Sequence, residues 1–234
     1  MPAAMKAHLL LPALFAALSA FATGSARGAI TLAQYNFGSN LTSSDTETGS
    51  VAGPITSGGG LGVQNTGWGR SSSGGNDLYI RFSGTDAASP DNSYLSFTLT
   101  ISAGVTYNLE ALSFVYRLQH ATGGSATGAA DLLTQLRVTS SLDNHATNLG
   151  TFSNSRAATG GTTAYTPAPS IDLSSYTNVS GTVEFRFYVT DSTDLTGDIT
   201  RFDDIILTAV PEPGAALLAL TGAAFTLLRR RRGH

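Results

Sequence analysis

Two stretches decide the fold: Val183-Glu184-Phe185-Arg186-Phe187-Tyr188-Val189 and Leu95-Ser96-Phe97-Thr98-Leu99-Thr100-Ile101. In each, apolar and polar side chains alternate, so every second residue lies on the same side of an extended chain. One side is suited to a core and the other to water, as in a strand of an antiparallel sheet. Leu78-Tyr79-Ile80-Arg81-Phe82 repeats the pattern. Residues 30–37, 105–109, 112–118, 132–139 and 205–208 are further strand candidates, about eight strands altogether. Eight such strands suffice for two sheets facing one another across a shared core.

The intervals between these segments carry turn chemistry. Ser57-Gly58-Gly59-Gly60, Gly74-Gly75-Asn76-Asp77, Ser102-Ala103-Gly104 and Gly160-Gly161 supply flexible or positive-φ positions. Residues 41–77 are small and polar, which predicts irregular loops there. No stretch before the C-terminal tail shows a helical period. The chain therefore reads as all-β, a single β-sandwich of jelly-roll type over residues 27–209.

Composition agrees. Only 12% of the 234 residues are charged, 26 are glycine and none is cysteine. Coiled coils and helical bundles are excluded by that balance, and disulfide scaffolds and cysteine-ligated zinc or iron–sulfur centres by the missing thiols. The formal net charge of −3 hides an uneven distribution. Between Arg27 and Val210 there are eight arginines, no lysine and fifteen acids, so the body is strongly acidic. An acidic body is repelled by a phosphate backbone, and nucleic acid is not an expected partner.

Two end segments frame this body. At the start, Lys6 precedes an apolar run from Leu9 to Ala22 that gives way to small residues. The run falls short of the roughly 20 residues that span a bilayer, and its order fits a secretory signal peptide over residues 1–26. Signal peptidase would cut after Ala26, with Gly24 and Ala26 as the two small recognition residues, or after Ala22, with Ala20 and Ala22. A membrane anchor or a buried helix is the competing reading.

The C-terminal end, residues 210–234, holds a Val210-Pro211-Glu212-Pro213 box, an apolar stretch at 214–228, and Arg229-Arg230-Arg231-Arg232. Two prolines around Glu212 block helix formation and keep the box extended for an enzyme to read. As a helix the apolar stretch would be about 22 Å long, against roughly 30 Å of hydrocarbon, so it spans only with help from its flanks. By the positive-inside rule the arginines stay cytoplasmic and the body lies outside.

This tripartite tail resembles the PEP-CTERM sorting signal of Gram-negative bacteria. The resemblance implies processing by an exosortase, a membrane cysteine transpeptidase-like enzyme that recognises the box. It implies an exported protein, transiently membrane-anchored and then located in the envelope or the extracellular polysaccharide matrix. An ordinary single-pass anchor is the plainer alternative. Arg201-Phe202-Asp203-Asp204-Ile205-Ile206-Leu207-Thr208 in turn resembles the last strand of bacterial jelly-roll, galactose-binding-like modules, with Asp204 where those carry asparagine.

Catalytic chemistry is hard to find in the body. It has no Gly-x-Ser-x-Gly elbow, no cysteine, no His-Glu-x-x-His pair and no phosphate-cradling glycine pattern. His120 and His145 lie in polar contexts and read as solvent-facing loop residues. Calcium is the one cofactor with support: Asp191, Asp194, Asp198, Asp203 and Asp204 crowd fourteen residues, and hard oxygen ligands suit Ca²⁺. Such a site would use Asp203 with Asp194 or Asp198, although solvated acids or a turn fixed by Asp203 explain the same pattern.

Sugar binding needs an aromatic platform with polar neighbours. Trp68, the only tryptophan, sits between glycines beside Arg70, and Tyr79, Tyr94 and Tyr188 fall on the polar phase of their strands. Trp68 is equally readable as a plug over one end of the core. Three functions compete: a non-enzymatic exported envelope or matrix protein, a carbohydrate-binding module for exopolysaccharide, and, least supported, a secreted glycosidase or lyase.

Overall fold

Strict alternation drives the architecture. Leu95, Phe97, Leu99 and Ile101 on one strand, and Val183, Phe185, Phe187 and Val189 on its neighbour, are all buried. The threonines at 98 and 100 between them are exposed, as the sequence pattern requires. The structure, a computed structural model, describes residues 28–59, 66–71, 77–82, 94–120, 132–156, 166–168, 170–191 and 198–211.

Among the described residues there are thirteen strands and one 3₁₀ turn at Ser141–Asp143. The strands are β1 (Ile30–Tyr35), β2 (Ser50–Ala52), β3 (Thr56–Gly58), β4 (Thr66–Arg70), β5 (Leu78–Phe82), β6 (Tyr94–Ile101) and β7 (Tyr107–His120). They continue with β8 (Leu132–Ser140), β9 (Gly150–Arg156), β10 (Thr166–Pro167), β11 (Ile171–Asp172), β12 (Thr182–Asp191) and β13 (Asp198–Pro211).

They form two antiparallel sheets. The seven-stranded sheet runs β10-β7-β13-β5-β4, with β11 also on β7 and β1 also on β13. The six-stranded sheet runs β2-β6-β12-β8-β9, with β3 also on β6. Their inner faces meet in one apolar core, and the fold is a jelly-roll-like β-sandwich. Phe187 of the six-stranded sheet stacks edge-on to Phe114 of the other, with ring centroids 5.5 Å apart. Phe97, Phe185, Phe152 and Phe202 complete this aromatic centre.

The structure differs from the sequence reading in instructive ways. Residues 105–109 and 112–118 read as two strands because their apolar parity changes: Tyr107 and Leu109 are buried, then Leu112, Phe114 and Tyr116. Residues 107–109 and 112–118 belong to one strand, β7, whose register with β13 slips opposite Thr208 and Ala209. An inserted residue of that kind flips every following side chain to the other face. A second slip falls between Asp203 and Ile206, where Asp204 takes a left-handed φ of 49°. It moves the buried phase from Phe202 to Ile205, Leu207 and Ala209. That slip also marks where β13 exchanges one neighbour, β5, for another, β1. The segment expected to be irregular, 41–77, instead contributes β2, β3 and β4, short edge strands too brief to show a period.

Candidate functional site

The four aromatic residues singled out as ligand candidates are divided between the two sheets. Trp68 on β4 is the cross-strand partner of buried Ile80, so it stands on the core phase and packs, half-buried, against the core. It is the plug rather than a platform. Tyr79 pairs with Gly69 and Arg201 and lies on the outer side of the seven-stranded sheet. Its ring passes over Gly69, where an added Cβ would sit 3.6 Å from the hydroxyl.

Tyr94 and Tyr188 come together on the outer face of the six-stranded sheet. They are direct partners across β6 and β12, with ring centroids 5.3 Å apart. The row continues on both sides: Gly58 of β3 faces Tyr94, Arg137 of β8 faces Tyr188, and Thr151 of β9 faces Arg137. Gly58 matters here, because a Cβ at that position would lie within 2.6 Å of two Tyr94 ring carbons and the hydroxyl oxygen.

Guanidinium groups interleave with the rings. The Arg137 guanidinium lies 4.2 Å from the Tyr188 centroid, and that of Arg186 lies 4.3 Å from the Tyr94 centroid. These distances are those of cation–π contacts. Arg186 is also fixed by Glu184, which accepts from its Nε at 3.0 Å and its Nη2 at 2.7 Å. His145 reaches over from the 141–149 loop, with Nε2 3.4 Å from the Glu184 carboxylate and Nδ1 2.9 Å from the Thr139 hydroxyl. It is therefore a member of the cluster and not the solvent-facing loop residue expected. His120, also expected in a loop, closes β7.

Electrostatics favour the charged carboxylate and guanidinium and the neutral imidazole. Burial pushes Glu184 up, but hydrogen bonds from Arg186 and Ser96 and the arginine charge outweigh it and hold the carboxyl below its ordinary range. Burial also opposes the charge on Arg186, yet hydrogen bonds to Glu184 and Tyr188 raise it further. His145 is lowered, first by burial and then by the Arg186 charge. Tyr188, only 9% exposed, is more buried than its polar phase suggests, because Tyr94 and Arg137 cover it.

Among the described residues no group of three or more His, Cys, Asp or Glu could hold a metal ion. Asp194 lies outside the described residues, and Asp198 opens β13 opposite His120. Asp203 sits at the β13 slip, where its Oδ1 accepts from the Asp204 backbone N–H at 2.9 Å. Its carboxyl is pushed up to about 6, chiefly by burial and further by the charges of Asp204 and Asp77, against the lowering effect of that hydrogen bond and of Arg117.

A raised carboxyl binds its proton more tightly folded than unfolded. It thus contributes stability at pH below about 4, and that contribution disappears as pH rises through about 6. Asp203→Asn is then expected to stabilise by about 1 kcal/mol at pH 8 and to be neutral at pH 4. The full shift would correspond to about 3 kcal/mol, reduced here because the group is only partly buried and solvent screens it. Urea melts in chelator at the two pH values measure this. A bound Ca²⁺ on Asp203 would reverse the sign, with Asp203→Asn lowering stability in calcium.

The sorting box is only partly in view. β13 continues through Val210 and Pro211, which pair with Asn108 and Tyr107. The box was expected to start after the last strand; instead the strand takes in its first two residues. Proline is tolerated there because a strand end does not need its missing N–H. Glu212, Pro213 and Arg229 to Arg232 lie outside the described residues, as does the apolar segment 214–228. Among the described residues no helix is long and apolar enough to cross a membrane.

No protein-family model matches the chain, and no curated protein matches it in sequence. Solved structures of similar architecture include a carbohydrate-binding module specific for non-crystalline cellulose, at 14% identity and TM-score 0.39, covering 77% of this chain and 95% of that one. A cleaved adhesin domain of Lys-gingipain from Porphyromonas gingivalis follows at 13% identity and TM-score 0.37, covering 77% and 97%. A cyclase from Fischerella gives 13% identity and TM-score 0.28, covering 79% and 85%. Similarity at this level carries no functional argument.

Proposed function

We propose that this chain is an exported, non-enzymatic envelope or extracellular-matrix protein, held briefly in the inner membrane by a PEP-CTERM tail and processed there by an exosortase. The order of box, apolar segment and arginine cluster after a strand-rich body is the observation that supports it. The body's β-sandwich suits that role, since it brings its own apolar core and needs no cysteine to fold outside the cell. Its amino-terminal segment supplies export through signal peptidase, with removal after Ala26 or Ala22.

The test is Glu212→Ala with Pro213→Ala in the producing cell. Both residues follow the last paired position of β13, so the fold is expected to be indifferent to them. Processing is expected to stop, leaving the uncut tail on the protein and the protein in the membrane fraction. Intact mass and fractionation, with and without the sorting enzyme, provide the readout. Trimming and release at the wild-type level would sink this reading.

A second reading, a polysaccharide-binding module, is favoured by one observation: Tyr94 and Tyr188 adjoin on an outer sheet face among hydroxyl, guanidinium and carboxylate groups. Rings with convergent polar neighbours are what pyranose recognition uses. The two readings are compatible, since a matrix protein needs something in the matrix to hold.

A further inference from the structure

We infer that the folded body controls access to the sorting box: its sheet holds Val210 and Pro211, and the box is read only after they peel away from β7. This rests on the sorting reading above and specifies how that site is regulated.

The backbone carries the argument. Val210 and Pro211 pair with Asn108 and Tyr107. The Tyr107 N–H donates to the Val179 carbonyl at 3.0 Å, and its carbonyl accepts from the Val179 N–H at 2.9 Å. The Leu109 N–H goes to the Tyr176 carbonyl, on that same side. Successive residues of an antiparallel strand turn these groups to opposite sides, so Asn108 turns its own toward β13. Among the described residues, Asn108 and Val210 are therefore the last hydrogen-bonded pair of this ladder. Pro211, which has no N–H, falls at the next pair, where none is needed.

An enzyme that cuts a peptide holds it extended, through the same backbone groups that a sheet uses. Each residue has one N–H to offer. Val210 cannot serve β7 and an enzyme's cleft together, so the paired state withholds the start of Val210-Pro211-Glu212-Pro213.

Peeling has a definite stop. Ala209 is fully buried and paired on both sides, with Leu109 of β7 and Ile30 of β1. Beyond it, β13 has only β7 beside it among the described residues, and Val210 is half-buried. The facing edge is fixed. Tyr107 is buried, its hydroxyl donates to Glu47 Oε1 at 3.1 Å, and Asn108 Oδ1 accepts from the Asn178 N–H at 2.9 Å. The movable part is thus the end of β13. Strand ends paired on one side open locally far more often than the whole domain unfolds, so the body slows processing without forbidding it.

A disulfide tests this, since the chain has no cysteine of its own. Partners in a hydrogen-bonded pair have Cα atoms about 5.5 Å apart, within the reach of a disulfide. Asn108→Cys with Val210→Cys is followed in membranes from the producing cell, with intact mass reporting both the cross-link and the loss of the tail. The oxidised protein is expected to lose its tail at least tenfold more slowly than the same protein after reduction. The cysteine-free wild type and the two single variants, treated alike, set the baseline for the reagents and the new side chains. Inserting Gly-Ser-Gly-Ser-Val after position 210 of the double variant places an intact box beyond the cross-link, and processing of the oxidised form is expected to return. Equal rates for the oxidised and reduced double variant, or an oxidised form still uncut with the inserted box, would overturn control by the sheet and leave the sorting reading standing. A tail retained by the wild type in the presence of the sorting enzyme would overturn both.

Discussion

Asp77→Ala is expected to lower the unfolding free energy by about 3–5 kcal/mol. The reason lies on the outer side of the seven-stranded sheet. Arg117 of β7 and Arg201 of β13 are direct cross-strand partners. Like charges so opposed repel one another. Asp77, fully buried just before β5, resolves the conflict by accepting from Arg117 Nη2 at 2.9 Å with one oxygen and from Arg201 Nη1 with the other. Its backbone carbonyl also accepts from the Ser71 N–H, which ties β4 to β5.

Removing the carboxylate takes away the anion that bridges two largely buried cations. Burial does not make such a triad worth more than apolar packing, however. Replacing all three with apolar residues of similar size (Asp77→Leu, Arg117→Met, Arg201→Met) is therefore expected to recover most of the loss. Chemical denaturation of the single and triple variants measures both quantities. A loss below about 1 kcal/mol in the single variant would mean that water or rearrangement replaces the carboxylate.

This triad also shows what a sequence discloses and what it withholds. The alternation around Phe97 and Phe185 announces two half-buried strands, because burial on one face leaves a period of two in the residues themselves. Asp77, by contrast, reads as the end of a Gly74-Gly75-Asn76-Asp77 turn, since nothing local marks it as buried. Its partners lie 40 and 124 positions away. The available signal was indirect: arginines at 117 and 201, inside strands of a body with few arginines, require carboxylates close by.

The candidate face was half legible for the same reason. Tyr94 and Tyr188 are placed outward by their phase, but only the pairing of β6 with β12 makes them neighbours. His145 was missed because a loop histidine surrounded by Asn and Thr gives no hint of a partner 39 residues later in the chain. Trp68 could be read either way until its partner was known to be Ile80. The two register slips in β13 are equally silent, because an inserted residue looks locally like the end of one strand and the start of another.

Phe187→Ala is expected to cost about 3–5 kcal/mol, through lost transfer free energy and the cavity left behind. Phe187 is 1% exposed and touches both layers: Phe97 in its own sheet, Phe114 and Phe202 in the other. No neighbour can collapse into the gap without pulling one sheet away from its partner. Its two chain neighbours point to the opposite face, where Arg186 and Tyr188 join the cluster with Tyr94 and Glu184. The alternation thus predicts a separable pair of outcomes. Phe187→Leu, which keeps most of the volume, is expected to cost less than about 1.5 kcal/mol. Arg186→Gln, one position away, is expected to leave the aromatic core intact and to take from Glu184 its Nε and Nη2 partners. Thermal melts of the three variants decide the matter, and a Phe187→Ala loss below about 1.5 kcal/mol would show that the core closes over the gap.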